Sequence, residues 1–171
     1  MSKINPARAA LFIITASAVI LISALVFQYG FGFYPCALCF AQRWPYYFAI
    51  SLAVLALSLS RDARAGQTIV VVLIIIALVF LGSTALATYH VGIEQQWWEG
   101  TKACGGGLRS SGLSLDELRT DLLNQPIVRC DRPAWTLFGI SLAGFNIALS
   151  LSLTVITALF ARIVARQFAT G

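Results

Sequence analysis

Hydrophobic positions in this chain come in long unbroken runs. Four stretches, 9–42, 44–60, 65–93 and 133–161, contain no Asp, Glu, Lys or Arg. A helix needs about 20 mostly apolar residues to cross a bilayer, within a range of roughly 17–25. The runs predict helices over about 9–28, 42–60, 67–89 and 139–160. The second is the shortest, and its start is open within 35–44. None shows an amphipathic stripe, as expected when lipid or other helices surround each one. Strands of a membrane barrel would alternate apolar and polar over about 10 residues. Segments such as Ile69–Phe80 do not. The expected fold is all-α: a polytopic four-helix membrane bundle, one domain over 1–171, with outer loops 29–43 and 90–136. The first run far exceeds the 7–15 residue core of a cleaved leader, so it is expected to remain as a span.

Composition agrees. The chain is 58% hydrophobic and 11% charged, against about 25% charge in a soluble domain. So little charge could not cover a soluble globule, and so apolar a chain is not disordered. The net charge of +5 is explained by topology. Lys3, Arg8, Arg61, Arg64, Arg162 and Arg166 fall on one side, opposed by Asp62 alone. The other side balances Arg43, Lys102, Arg109, Arg119, Arg129 and Arg132 against six acids. Basic residues mark the cytoplasmic face, so both termini and the 61–66 turn are expected inside. No basic run calls for nucleic acid. Phe31, Phe33, Tyr34, Trp44, Tyr46 and Tyr47 gather at one outer edge, and Trp97, Trp98 and Trp135 near the others. Such belts sit at headgroup level.

All four cysteines, Cys36, Cys39, Cys104 and Cys130, fall in the outer segments. An even count in an oxidising compartment suggests disulfides. Of three possible connectivities, spacing favours Cys36–Cys39, leaving Cys104 with Cys130. The first pair is a C-x-x-C motif, which lowers a thiol's pKa and makes an exchangeable disulfide. A four-thiolate zinc site is the metal alternative, but ribbons usually carry two C-x-x-C pairs, so no metal is expected. A purely structural bridge across two residues would constrain little chain. Cys104–Cys130 could equally be a plain loop staple.

Pro35 favours a helix start at the motif. Cys36, Cys39 and Arg43 then share one face. The helix N-terminus and the guanidinium would both stabilise a Cys39 thiolate. Pro45 breaks or restarts this helix. Arg43 at the membrane edge reads as a snorkelling anchor or as a functional charge, and beside a cysteine pair function is favoured. A thiolate and an arginine among aromatics suit a lipid-soluble electron acceptor such as a quinone. His90, the sole histidine, ends the third run at similar depth. It could bond a quinone oxygen or supply a proton, or simply sit at the interface bonded to water or backbone. In the second loop, Ser114-Leu115-Asp116-Glu117 forms a capping box opening a short amphipathic helix with Leu115, Leu118 and Leu122. That helix could lie on the membrane surface or pack on the bundle top. Gly105-Gly106-Gly107 gives mobility beside Cys104.

Together these features resemble the DsbB family of bacterial inner-membrane thiol–quinone oxidoreductases, over essentially the first span to the fourth. Its most specific parts are Pro-Cys-Ala-Leu-Cys-Phe-Ala-Gln-Arg at 35–43 and the paired Cys104 and Cys130. The resemblance implies periplasmic cysteine loops and reoxidation of a periplasmic DsbA-like thiol oxidase, with Cys104 taking the mixed disulfide. Electrons would pass to Cys36 and Cys39, and from Cys39 as a thiolate to ubiquinone or menaquinone of the membrane pool. Arg43 matches the family's quinone-site arginine. His90 matches a family histidine through Tyr-His-Val-Gly at 89–92. Gln42 stands where some members have Glu and is expected to matter little. Two rivals differ in prediction. A non-catalytic scaffold with stapled loops would tolerate Arg43→Ala. A vitamin-K-epoxide-reductase-like enzyme, also four helices with quinone and cysteines, would carry its C-x-x-C late in the bundle, whereas here it precedes the second helix.

Overall fold

The computed structural model describes residues 5–101, 104 and 129–169. Helix α1 (Pro6–Leu25) starts where the Asn5 side chain accepts the Ala7 N–H at 2.9 Å. Pro6 fits the first turn because its missing N–H is not needed there. The helix runs on as a π-helical turn, Val26–Gly30. A short helix, α2 (Ala37–Ala41), follows with Cys36 as its N-cap. Helix α3 (Trp44–Leu59) begins immediately after it. Pro45 explains the break between them, since it has no N–H for the Ala41 carbonyl. The chain restarts at Arg43, whose carbonyl accepts the Tyr46 N–H at 3.2 Å. The expected helix over 42–60 is thus two helices joined by a turn.

Asp62 caps the turn Ala63–Ala65 by accepting the Arg64 N–H at 2.9 Å. Helix α4 (Gly66–Glu94) runs five residues past the expected end at 89, carrying His90 and Glu94 on one more helical turn. A two-residue antiparallel hairpin, β1 (Thr136–Leu137) and β2 (Ile140–Ser141), precedes α5 (Leu142–Ala169). Its turn residues, Phe138 and Gly139, both have positive φ, at 52° and 80°. Turns of that sense match the twist of paired strands. The hairpin departs from the all-α expectation. Its short apolar sequence had been absorbed into the fourth run. The expected amphipathic helix at 114–126 and the Gly105–Gly107 run lie outside the described residues.

Three helical stretches, Pro6–Gly30, Gly66–Glu94 and Leu142–Phe168, are long and apolar enough to cross a membrane. At 16 residues, α3 falls just under the usual span of roughly 17–25. Helix α4 packs on α5 and α3, and α1 packs on α3 and α5. Small residues permit the close approach: α3 buries Ala49, Ala53 and Ala56 along one stripe, as tightly packed membrane helices do. Ile13, Leu73, Ile76 and Phe80 fill the space between. Thr84 and Ser150 join α4 to α5 by a 2.9 Å hydrogen bond. Val19, Ile22, Ile74, Leu78 and Val155 face outward, the surface that lipid would cover.

At its outer end α4 is braced by Trp98. The indole N–H donates to the Tyr89 carbonyl at 3.0 Å, and the two rings stack 9° from parallel. A Cβ on Gly92 would run into the Trp98 ring. Gly92→Ala should therefore displace the indole and cost about 1–3 kcal/mol of stability. A lower unfolding midpoint with a shifted tryptophan emission is the expected result; an unchanged midpoint and spectrum would contradict it.

Candidate active site

Cys36 and Cys39 occupy the two ends of one helical turn at the outer membrane edge. The Cys36 sulfur caps α2 by accepting the Cys39 backbone N–H at 3.3 Å. The two sulfurs are 3.0 Å apart and unbridged, so the pair is in its dithiol form. Cys104 and Cys130, by contrast, are joined in a disulfide, with Cα atoms 4.9 Å apart. Cys130 N–H also donates to the Cys104 carbonyl at 3.1 Å. Both bridged cysteines are buried against Cys36 and Ile93, with Tyr89 and Leu38 alongside. The ligand atoms of Cys36, His90 and Cys130 lie within 4.8 Å of one another. The second cysteine pair thus sits directly on the first. A four-thiolate metal site would need the sulfurs of Cys104 and Cys130, which are held in their disulfide.

The two thiols of the motif face different surroundings. Cys36 is 5% exposed and lies 3.5 Å from His90 Nε2. Cys39 lines an apolar cavity of about 460 Å³ between α1, α2, α3 and α5. The cavity's polar groups are few: Ser23, Gln28, Tyr34, Cys39, Gln42, Arg43, Tyr46 and Asn146. Contact with the Cys39 thiol holds the Cys36 thiol far below its ordinary 9.0, down to about 4, with burial opposing and His90 assisting. The same contact, together with burial, pushes the Cys39 thiol up. The two shifts point to Cys36 as the more acidic thiol of the pair. Sequence reasoning expects a thiolate on Cys39 at the quinone; in the dithiol geometry Cys36 is the residue at the N-cap.

Arg43 also points elsewhere than expected. Its Nη1 donates to Gln28 Oε1 at 2.7 Å, and its guanidinium lies 5.1 Å from the centre of the Phe40 ring. It borders the cavity without touching Cys39's sulfur. His90, 1% exposed, is not part of the cavity wall. Gln42 stands between them, with its Nε2 2.8 Å from His90 Nδ1 and its Oε1 accepting from Asn146 Nδ2 at 2.7 Å. Asn146 Oδ1 in turn accepts the Tyr46 hydroxyl. Glu94 Oε1 is 3.9 Å from His90 Nε2, and Glu94 Oε2 accepts from Ser141 at 2.5 Å. Gln28, Gln42 and Asn146 were missed or discounted. The available signal was an uncharged amide inside or beside a membrane run, where polar groups are expensive.

A thiolate on Cys36 has a direct reading. In the reduced protein, its ultraviolet absorbance should persist from pH 9.0 down to about 4 and disappear as pH falls further. Cys39→Ala removes that contact and should move the transition upward. A wild-type transition near the ordinary thiol value would show that the contact does not lower the Cys36 thiol in this way.

The family model described as "Disulfide bond formation protein DsbB" matches residues 6–160. The chain is 30% identical over 139 residues to the Disulfide bond formation protein B of Hahella chejuensis (strain KCTC 2396), covering 75% of this chain and 82% of that protein. It is 31% identical over 146 residues to "Uncharacterized protein RP370" of Rickettsia prowazekii (strain Madrid E), covering 85% and 81% of the two. No solved structure matches it. The match over nearly the whole chain and the identity to a named relative show that the chain belongs to the DsbB family of disulfide-forming membrane oxidoreductases.

Proposed function

We propose that this protein reoxidises a periplasmic DsbA-like thiol oxidase and passes the electrons to quinone of the bacterial inner membrane. One observation carries the reading. The paired cysteines face opposite ways, Cys36 toward the Cys104–Cys130 disulfide and Cys39 into the apolar cavity. One sulfur is placed to exchange with protein, the other to meet a lipid-soluble acceptor. In this reading α3 is the fourth span, so both termini lie on the cytoplasmic side and both cysteine loops on the periplasmic side.

The partner's thiolate attacks the Cys104 sulfur, and a mixed disulfide forms as Cys130 leaves. The partner's second thiol then closes its own disulfide and releases Cys104. The Cys130 thiolate attacks Cys36 of a Cys36–Cys39 disulfide, and Cys39 departs. Finally the Cys104 thiolate attacks Cys130, re-forming that bridge and releasing Cys36. Each step is thiolate attack on a disulfide, and the last is favoured by the low pKa of the leaving Cys36 thiol. The arrangement described here, with dithiol at 36/39 and disulfide at 104/130, is the product of that transfer.

The cavity fits a quinone ring. About 460 Å³ lies within the roughly 300–1,000 Å³ of small-molecule sites, and its mostly apolar wall carries a few fixed polar groups. A ubiquinone or menaquinone bound there would take up the two electrons released as the Cys36–Cys39 bond forms, with the Cys39 proton and one more from solvent. Cys39 presents its sulfur to that space. Arg43, held by Gln28 and stacked on Phe40, offers a charged donor at its edge. Tyr46 and Asn146 close the inner side.

The test is anaerobic. Purified protein is mixed with a soluble ubiquinone analogue and a reduced DsbA-type dithiol protein, and quinone absorbance is followed. Wild type should consume quinone in step with thiol oxidation. Cys39→Ser should abolish consumption while Cys104–Cys130 still exchanges with the partner. Arg43→Ala should raise the quinone concentration needed by about tenfold or more, as loss of a charged hydrogen bond predicts. No quinone loss by wild type with an intact Cys104–Cys130 bridge, or no effect of either variant, would sink the reading.

A further inference from the structure

Three buried side chains and the half-buried Asn146, from four elements, form one directed hydrogen-bond chain. Tyr46 of α3 donates its hydroxyl proton to Asn146 Oδ1 of α5. Asn146 Nδ2 donates to Gln42 Oε1 at 2.7 Å. Gln42 Nε2 lies 2.8 Å from His90 Nδ1 of α4. An amide nitrogen can only donate, so Nδ1 is the acceptor. A neutral imidazole then carries its single proton on Nε2. That nitrogen is 3.5 Å from Cys36 Sγ. The other groups near the ring are Glu94, 3.9 Å from Nε2 and beyond hydrogen-bond reach, and the Cys130 sulfur, within 4.8 Å of the imidazole's ligand nitrogen.

We infer that Gln42 and Asn146 are positioning residues that fix His90 as its Nε2–H tautomer, so that the imidazole presents a donor to the Cys36 sulfur. Nothing in the resemblance assigned this role, and Gln42 had been set aside. The inference rests on the exchange step proposed above. There, Cys104 thiolate attacks Cys130 of a Cys36–Cys130 mixed disulfide. The Cys104–Cys130 bond forms, the Cys36–Cys130 bond breaks, and the electron pair stays on Cys36. A donor at 3.5 Å stabilises that leaving thiolate; a lone pair at the same place would repel it. The same sulfur, in the attacking direction, is held as thiolate by the same N–H.

The order of the chain makes a prediction at a distance. Asn146→Asp replaces a donor by a carboxylate oxygen. Gln42 must then turn its Nε2 toward residue 146, and its Oε1 faces His90. The imidazole proton is drawn to Nδ1, although residue 146 does not touch the ring. Gln42→Glu should do the same directly.

His90 is the sole histidine, so histidine labelled with nitrogen-15 reports it without assignment, provided the protein is purified through a tag lacking histidine. In reduced full-length wild type the ring nitrogens should show the Nε2–H pattern. Asn146→Asp and Gln42→Glu should each convert it to Nδ1–H or to the imidazolium. Both should slow single-turnover exchange between the two cysteine pairs by about tenfold or more, and Asn146→Gln or Gln42→Asn should not reproduce the tautomer switch. A wild-type Nδ1–H pattern would overturn the inference by itself, whether or not the variants fold. So would a folded Asn146→Asp protein with its tautomer unchanged. The tautomer is read without quinone or partner. A protein that shows Nε2–H yet reduces no quinone refutes the proposed function and leaves the positioning intact.

Discussion

The arrangement depends on the 3.0 Å contact between the sulfurs of Cys36 and Cys39. Two thiols one helical turn apart are close enough for one to donate to the other, so their acidities separate. Pro35 and Pro45 bound the turn that makes this possible. The first proline precedes the cap and the second stops α2 from running into α3. Between them the chain has five helical residues, just enough to set one sulfur at the cap and the other on the cavity side. A continuous helix would place both on a single lipid-facing stripe.

Around that turn the protein spends buried polar groups unusually freely for a membrane chain. Gln42, His90 and Tyr46 are buried and Asn146 is half-buried, and each finds a partner on another element. Unpartnered polar groups at that depth would cost several kcal/mol each. The network therefore also joins the helices: it ties α3, α4 and α5 together beside the cavity, where apolar packing alone would leave their relative rotation loosely fixed.

Much of this was legible in the sequence, for stated reasons. Charge-free runs mark helices because a bilayer tolerates little else. Cysteines confined to the loops, and an arginine at the boundary, stand out against an apolar background. The pairing of Cys104 with Cys130 was readable from spacing. What was hidden depended on contact between distant positions. Gln42 meets Asn146 across 104 residues of sequence, and no spacing rule reaches so far. Arg43 turns to Gln28 rather than Cys39 because α1 passes beside it, a fact of packing. The cavity is the space left between four elements, and no single run records it. The hairpin at 136–141 was lost because two-residue strands have no period to detect. Pro45 announced a break, but not that both sides would stay helical.

Burial of Cys36 has a consequence of its own. A sulfur ionised under mildly acidic conditions is a ready target for peroxides and small disulfides. At 5% exposure, beneath Ile93, Tyr89 and the Cys104–Cys130 bridge, this one is screened from them. Solutes that could destroy the thiolate, or drain its electrons outside the membrane, meet the covering bridge first. The bridge thus covers the sulfur beneath it, and solute access to Cys36 is set by that cover rather than by the acidity of the thiol.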